Sequence, residues 1–382
     1  MTNRIYLDWN ATAPLRQEAR AAALAALDLN GNPSSVHGEG RAARRLIEHA
    51  REQVAALVGA QPRNVVFTSG GTEANMLALA PAAARDRLLV SAIEHPSVLA
   101  GGRFPSGSIE RLSVTGSGAL DLAALERRLA ALGGRALVSL MLANNETGVV
   151  QPVAQAAQLV HAAGGVLHVD AVQAVGRIAC DINALGADLL TLSGHKIGAP
   201  KGIGALIGRT ELSLVDSLIK GGGQERGLRA GTENVAGIAG FGAAAAAARA
   251  EFSAEAVHMT ALRDRLEAGL KAASPAIVIF GTESERLPNT TLFAVPGVKA
   301  ETAVIALDLE GVAVSAGAAC SSGKVQPSHV LAAMGVPSHL ARAGVRVSLG
   351  PSTTESEIDR FIEAWIKVSG SLPKQQSQSI AA

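Results

Sequence analysis

The chain has 382 residues, 34 basic and 33 acidic side chains, nine histidines and two cysteines. Two cysteines exclude a disulfide framework and any four-cysteine zinc or iron–sulfur site, so a metal would need His and carboxylate ligands. A net charge of +1 argues against coating nucleic acid or an anionic membrane, and 3% aromatic residues leave few rings to stack on bases, so small molecules or one specific protein are the expected partners.

The opening MTNRIYLDWN has no apolar h-region and does not read as a signal peptide. The longest uncharged apolar run, Asn234–Ala248, is mostly Ala and Gly and falls short of the roughly 18–20 residues a bilayer span needs. A cytoplasmic chain with reduced thiols is expected. In chain order, Leu46, Ala50, Val54 and Leu57 share one face of a predicted helix that ends near Gly59, and Asp121 is a predicted N-cap. Strands are predicted at Val65–Thr68, Leu88–Ala92, Leu137–Leu142, Val166–Asp170, Asp188–Leu192 and Ile203–Ile207. Strands alternating with helices point to an α/β fold, a mostly parallel sheet with helices on both faces.

Beyond about residue 252 the pattern changes to a helix through Leu262, Leu266 and Leu270, strands near Ile277–Phe280, Asn289–Val295 and Val345–Leu349, and a helical run Thr302–Leu309. This reads as a smaller α+β domain. The expected division is 15–252 for the large domain and 1–14 with 253–382 for the small one, with a polar, disordered tail from Lys374.

Polar motifs follow the predicted strands, where open α/β sheets bind ligands. Thr68–Glu73, TSGGTE, places glycines and a helix N-terminus where an anion can sit, although alone it reads more simply as a βα turn capped by Thr72, and it lacks the lysine of a P-loop. Glu94-His95-Pro96 and Asn144–Gly148, NNETG, read singly as polar loops. Asp170 in HVDAVQ is either a surface strand end or the partner of a cationic ring nitrogen. Lys196 in SGHK is either a solvated cation or a Schiff-base nucleophile held near a phosphate. Gly202, Gly204 and Gly208 lack the following helix a dinucleotide motif needs. Cys320 sits among small residues in SAGAACSSG and reads as an accessible, reactive thiol in a mobile loop, whereas Cys180 reads as packing.

Lys196, Asp170, Gln173 and the Gly71-Thr72 turn together resemble pyridoxal-phosphate enzymes of fold type I, aminotransferase class V. The stretches YLDWNATAPL (6–15), GNPSSVHGEGRAAR (31–44), NNETG, GGGQERGLRAGTEN (221–234), SAGAACSSG and RVSLG (346–350) narrow the resemblance to the NifS/IscS-like cysteine desulfurases over nearly the whole chain. The cysteine motif is the most specific of them. The resemblance implies a large domain with a mostly parallel seven-stranded sheet and a smaller α+β domain carrying the cysteine loop, 315–327.

It further implies that Lys196 holds pyridoxal 5'-phosphate as a Schiff base and moves protons at the substrate α-carbon, and that Asp170 pairs with the ring nitrogen. Gln173 and Asn145 would bond the ring hydroxyl, and His95 would stack on the ring as a general acid/base. Gly71, Thr72, Ser193 and His195 would hold the phosphate, with Thr232 reaching it from the second subunit of a homodimer. Arg346 and Asn145 would bind the substrate carboxylate. Cys320 would attack the sulfur of L-cysteine, leaving alanine and a persulfide, and its loop would swing out to an acceptor such as an iron–sulfur scaffold protein. No resident metal is implied; Cys320 is the candidate contact for a nascent iron–sulfur cluster.

Gly71 stands where the family commonly has Ala and Trp9 where it has Tyr, and SSGKVQPSHVLAAMG leans toward the nitrogen-fixation branch. The alternatives are a selenocysteine lyase, another class V aminotransferase, or a sulfur-carrying module without catalysis. Cys320 discriminates against the aminotransferase; Lys196, Asp170, His95 and Arg346 discriminate against the inactive module.

Overall fold

The computed structural model describes residues 4–82, 85–133, 136–212, 215–317 and 327–372. A short strand, β1 (Ile5–Tyr6), precedes a central sheet of β2 (Val65–Thr68), β3 (Arg87–Ser91), β4 (Ile109–Leu112), β5 (Ala136–Met141), β6 (Val166–Asp170), β7 (Leu189–Ser193) and β8 (Gly204–Gly208). β2, β5, β7 and β8 are buried at every residue. Strands covered by helices on both faces read this way, as continuous apolar runs without alternation.

The order across the sheet is β2-β8-β7-β6-β5-β3-β4. β8 runs antiparallel to β2 and β7, and the other pairings are parallel. The seven-stranded, mostly parallel α/β sheet expected from the sequence is therefore present. Sequence analysis places six of its strands; β4 escaped because it lies at the edge, carries Glu110 and Arg111, and is only partly buried. Gly204 explains the glycines that resemble a dinucleotide motif: a Cβ there would meet the Gly70 carbonyl carbon at 2.6 Å and the Leu192 carbonyl oxygen at 2.8 Å. Glycine is needed for close backbone approach inside an antiparallel strand.

The helix Gly38–Leu57 buries Ala43, Ile47, Ala50 and Val54. Leu46 and Leu57, expected on that face, are only half-buried because Ile47 takes the core position. Asp121 caps the helix Leu122–Leu132 as expected, its Oδ1 accepting from the Ala124 amide at 3.0 Å.

A second sheet, in the order β12-β13-β10-β9, is antiparallel and comprises β9 (Val278–Ile279), β10 (Thr290–Ala294), β12 (Ser315–Ala316) and β13 (Val345–Ser348). β1 pairs in parallel with β11 (Val312–Ala313), tying the start of the chain to its last third. Behind these strands Phe293 meets Trp365 edge-on, ring centroids 4.9 Å apart, in a core separate from that of the large sheet. The helix Val235–Ala273 serves both: Ile238, Phe241 and Ala244 sit in the large core, and Leu262, Leu266 and Leu270 in the smaller one. Among the described residues, no helix is long and apolar enough to cross a membrane.

Candidate active site

Residues that follow β2, β3, β5, β6 and β7 line one cavity of about 570 Å³. Parallel strands deliver their C-terminal ends to the same edge, so motifs far apart in sequence meet there. Gly71, Thr72, His95, Asn145, Asp170, Gln173, Ser193, His195 and Lys196 all contribute to its wall.

Asp170, at the end of β6, is buried and held by two donors. Asn75 Nδ2 reaches its Oδ2 at 2.9 Å and the Val172 amide reaches its Oδ1 at 3.0 Å. Lys196, just beyond β7, donates from Nζ to the carbonyls of Asn10 at 2.5 Å and Ala11 at 2.9 Å. Gln173 Nε2 donates to the same Asn10 carbonyl at 3.0 Å. The N-terminal segment thus crosses the cavity and collects donors from two strand ends. Asn10 also bonds outward, from Nδ2 to Thr290 Oγ1 at 2.9 Å and to the Asn145 carbonyl at 3.3 Å.

His95 caps the short helix Pro96–Leu99, its Nδ1 accepting from the Ser97 amide at 3.2 Å. Burial lowers its basicity, with Lys196 and His329 adding to the effect and Asp170 opposing it. At neutral pH the ring is therefore neutral, and an accepting Nδ1 places its proton on Nε2. His195 bonds Thr12 Oγ1 at 3.1 Å and is pushed down to about 4 by burial and by the charges of Lys196 and Lys201.

Two glutamates beneath the site are pushed the other way. Burial raises Glu94 well above the usual carboxylate range, although its Oε1 accepts from the Met141 amide at 2.7 Å. Glu146, in the NNETG turn, is raised to about 7 by burial, against the Ser328 hydroxyl, which donates to it at 2.5 Å, and the charge of Arg346. Arg346, on β13, donates from Nη2 to Asp8 Oδ1 at 2.8 Å and from Nη1 to the Asn145 carbonyl at 2.9 Å. Its Nε has no partner among the described residues.

Three expected site residues stand apart. Arg346 is linked to the cavity wall by its hydrogen bond to the Asn145 carbonyl. Thr232 lines a different cavity of about 240 Å³. The segment holding Thr232 contains Glu225 and Arg226 with φ of 45° and 57°, and Glu225 is gripped by both Nη atoms of buried Arg51 at 2.7 and 2.8 Å. Cys320 lies outside the described residues. Cys180 is buried, and desolvation pushes its thiol up to about 12, which makes it inert packing as expected.

Sequence reasoning missed Asn10, Asn75, Thr12 and Asp8. Asn75 was the most accessible of these, since it lies one turn inside the helix Gly71–Ala78, where a polar residue among Ala, Met and Leu must have a reason. Asp8, Asn10 and Thr12 lie in a stretch without periodicity, which carries the family resemblance but gives no local sign of which side chains reach the site.

The wall suits pyridoxal phosphate. A Cβ at Gly71 would come within 3.1 Å of Val172 and 3.3 Å of Ser193, so the turn is kept bare at the start of a helix whose first-turn N–H groups have no side-chain cap. The Asp170 carboxyl is fixed at the other side, and Asn145 Oδ1 is buried without a partner among the described residues. An anionic group, a cationic ring nitrogen and a ring hydroxyl each have a counterpart.

Residues 5–361 match the family model described as Aminotransferase class-V. The chain is 46% identical to a cysteine desulfurase of Cereibacter sphaeroides, covering 94% of each, and 44% identical to one of Trichormus azollae, covering 94% of this chain and 91% of that one. The X-ray structure of a NifS-like protein from Rickettsia africae superimposes with a TM-score of 0.88 at 37% identity, covering 96% of this chain and all of that one, at 100%. With its central sheet, its cavity and nearly its whole length matched, this chain belongs to the class V aminotransferase family.

Proposed function

We propose that the chain is a pyridoxal-phosphate-dependent cysteine desulfurase that converts L-cysteine to L-alanine and leaves the sulfur as a persulfide on Cys320. The observation that carries the reading is the meeting of Lys196 and Asp170 in one cavity, at the ends of adjacent parallel strands, in a chain 46% identical to a cysteine desulfurase.

When bound, pyridoxal phosphate supplies an electron sink for charge developing at the substrate α-carbon. Lys196 Nζ would hold the cofactor and move protons at that carbon, leaving its carbonyl partners Asn10 and Ala11 to do so. Asp170, fixed by Asn75 and the Val172 amide, would keep the ring nitrogen protonated. Gln173 and Asn145 would bond the ring oxygen, and Gly71, Thr72, Ser193 and His195 would hold the phosphate. His95, its basicity lowered by burial, would stack on the ring and exchange protons. Arg346 takes the substrate carboxylate as a planar fork, with Asn145 beside it.

The sulfur step balances without an external oxidant. The Cys320 thiolate attacks the substrate sulfur, the carbon–sulfur bond breaks, the carbon is protonated to alanine, and the sulfur stays on the enzyme as Cys–S–SH. The persulfide then passes to an iron–sulfur scaffold protein. The SSGKVQPSHVLAAMG stretch supports a nitrogen-fixation setting.

The reading includes a homodimer as the working unit, with Thr232 reaching the phosphate held by a second copy of the chain; Thr232 lines a cavity that adjoins that of its own Lys196 through Ser69, Gly202 and Ile203. A cytoplasmic setting fits, since it keeps thiols reduced for persulfide transfer. The division into 15–252 and 1–14 with 253–382 is part of this reading; a core behind each sheet supports it, while Leu287 in the large core and a cluster of Ile93, Met141, Phe280 and Leu292 join the two parts.

The test is to mix the protein with pyridoxal phosphate, L-cysteine and a reductant and to assay alanine and sulfide together. Equal yields are expected, and Cys320→Ser should abolish both while the yellow cofactor absorbance survives. Alanine without sulfide, or undiminished desulfuration by Cys320→Ser, would overturn the reading.

A further inference from the structure

Arg177 is a buried cation that the chemistry above does not use. It is 6% exposed, and no carboxylate pairs with it among the described residues. Gly176, at φ 75°, allows the reversal after β6 that turns the Arg177 side chain back toward Gln173. From there Nη1 donates to the Gln173 carbonyl at 2.7 Å and to Gln173 Oε1 at 2.6 Å. Burial, and secondarily the charge of Arg346, lowers its guanidinium to about 10, which leaves it cationic at neutral pH. Arg177 also borders a third cavity of about 380 Å³, whose one acidic wall residue among those described, Glu255, is paired with Arg16 at 2.8 Å.

A guanidinium has donors only, so it must take the oxygen end of the Gln173 amide. The nitrogen end is then turned the other way. Nε2 carries two N–H groups: one donates to the Asn10 carbonyl, and the second is the donor that Gln173 can offer to a ligand in the cavity it lines.

We propose that Arg177 is a positioning residue, which fixes the Gln173 amide as a donor toward the ring oxygen of the bound cofactor and lends that oxygen the field of a buried, uncompensated positive charge. The inference rests on the cofactor reading above. An oxygen so placed is held as the anion, and the cofactor should lose its proton at lower pH than it would without Arg177. The other charged or titratable groups on the cavity wall are Glu73, His95, Asp170, His195, Lys196 and Lys201, and Arg346 acts on Arg177 from β13.

The test compares Arg177→Met, Arg177→Lys and Gln173→Ala with wild type. Two quantities are measured: the dissociation constant of pyridoxal phosphate from the cofactor-free chain, and the pH midpoint of the bound cofactor's visible absorbance. Arg177→Met should raise the midpoint by about one pH unit and weaken binding about tenfold, the scale of one lost charge-assisted contact. Arg177→Lys, which keeps the charge, should restore most of the midpoint. In a Gln173→Ala background, Arg177→Met should add little to the loss of binding, because the two act through one amide. If Arg177→Met fails to fold, Arg177→Gln, which keeps a donor and removes the charge, must show the raised midpoint. A wild-type midpoint in the uncharged variants, or full additivity with Gln173→Ala, overturns the proposal alone. A wild-type chain that takes up no pyridoxal phosphate overturns the functional reading with it.

Discussion

The two ends of the site are built differently. At the ends of β6 and β7 the key groups are already engaged within the chain: Asp170 has two donors, Lys196 two carbonyls, and Gln173 a partner at each end of its amide. Around Arg346, capacity is left over. Its Nε and the Oδ1 of Asn145 have no partner among the described residues, and Glu146 beneath them is a carboxyl raised to about 7. An end that holds a permanent group can be preorganised by the chain's own hydrogen bonds, whereas an end that a substrate would visit can keep unpaired polar atoms for it.

The comparison breaks most completely at Lys196. Lys196→Ala should bind pyridoxal phosphate without the normal visible absorbance and lose about 10²–10⁴ in alanine formation, the range of a positioned proton-transfer group. An unchanged spectrum in that variant would remove the lysine from the reaction.

At the other end, Glu146 predicts a pH dependence of stability. An ordinary glutamate ionises near 4.5, and in the fold this one does so near 7. The fold resists its ionisation, so the stability it allows is full below pH 4.5 and is lost as pH rises through 7. The shift corresponds to roughly 3 kcal/mol at about 1.4 kcal/mol per unit. Glu146→Gln should therefore gain on wild type between pH 5 and 8 in urea unfolding; parallel curves for the two proteins would refute it.

Arg346→Lys separates charge from geometry. Arg346 spans Asp8 and the Asn145 carbonyl with two nitrogens, which a single ammonium cannot do. KM for L-cysteine should rise about tenfold or more with a smaller change in kcat, consistent with a lost bidentate contact. An unchanged KM would place the carboxylate elsewhere. The smallest effect belongs to Cys180→Ala, which should cost about 1 kcal/mol of stability and leave sulfide formation intact, because the thiol is buried and inert. A large loss of sulfide would mean the two cysteines had been assigned the wrong way round.

What was legible in the sequence follows from how the site is assembled. A parallel sheet places each βα turn at one edge, so TSGGTE, EHP, NNETG, HVDAVQ and SGHK could be read one strand at a time and then brought together. Contacts that depend on chain-distant packing were not legible. Asn10 meets Lys196 and Gln173 across 186 and 163 positions, and Asp8 meets Arg346 across 338. Arg177 was hidden for another reason: a basic residue after a turn reads as solvated until the fold buries it. The exchange of Ile47 for Leu46 has a simpler origin, because in Arg45-Leu46-Ile47 adjacent apolar residues fit the helical period equally well and only packing chooses the phase.

The helix Val235–Ala273 has a consequence for how the molecule comes apart. At 39 residues it is about 58 Å long, and its buried residues fall in two groups, ending at Ala248 and resuming at Met259. Each core supplies one wall of its packing. Losing either would expose half of a continuous rod and weaken the other half, so heating should produce a single cooperative melting transition, and amide exchange should be fastest in the uncovered middle of the helix.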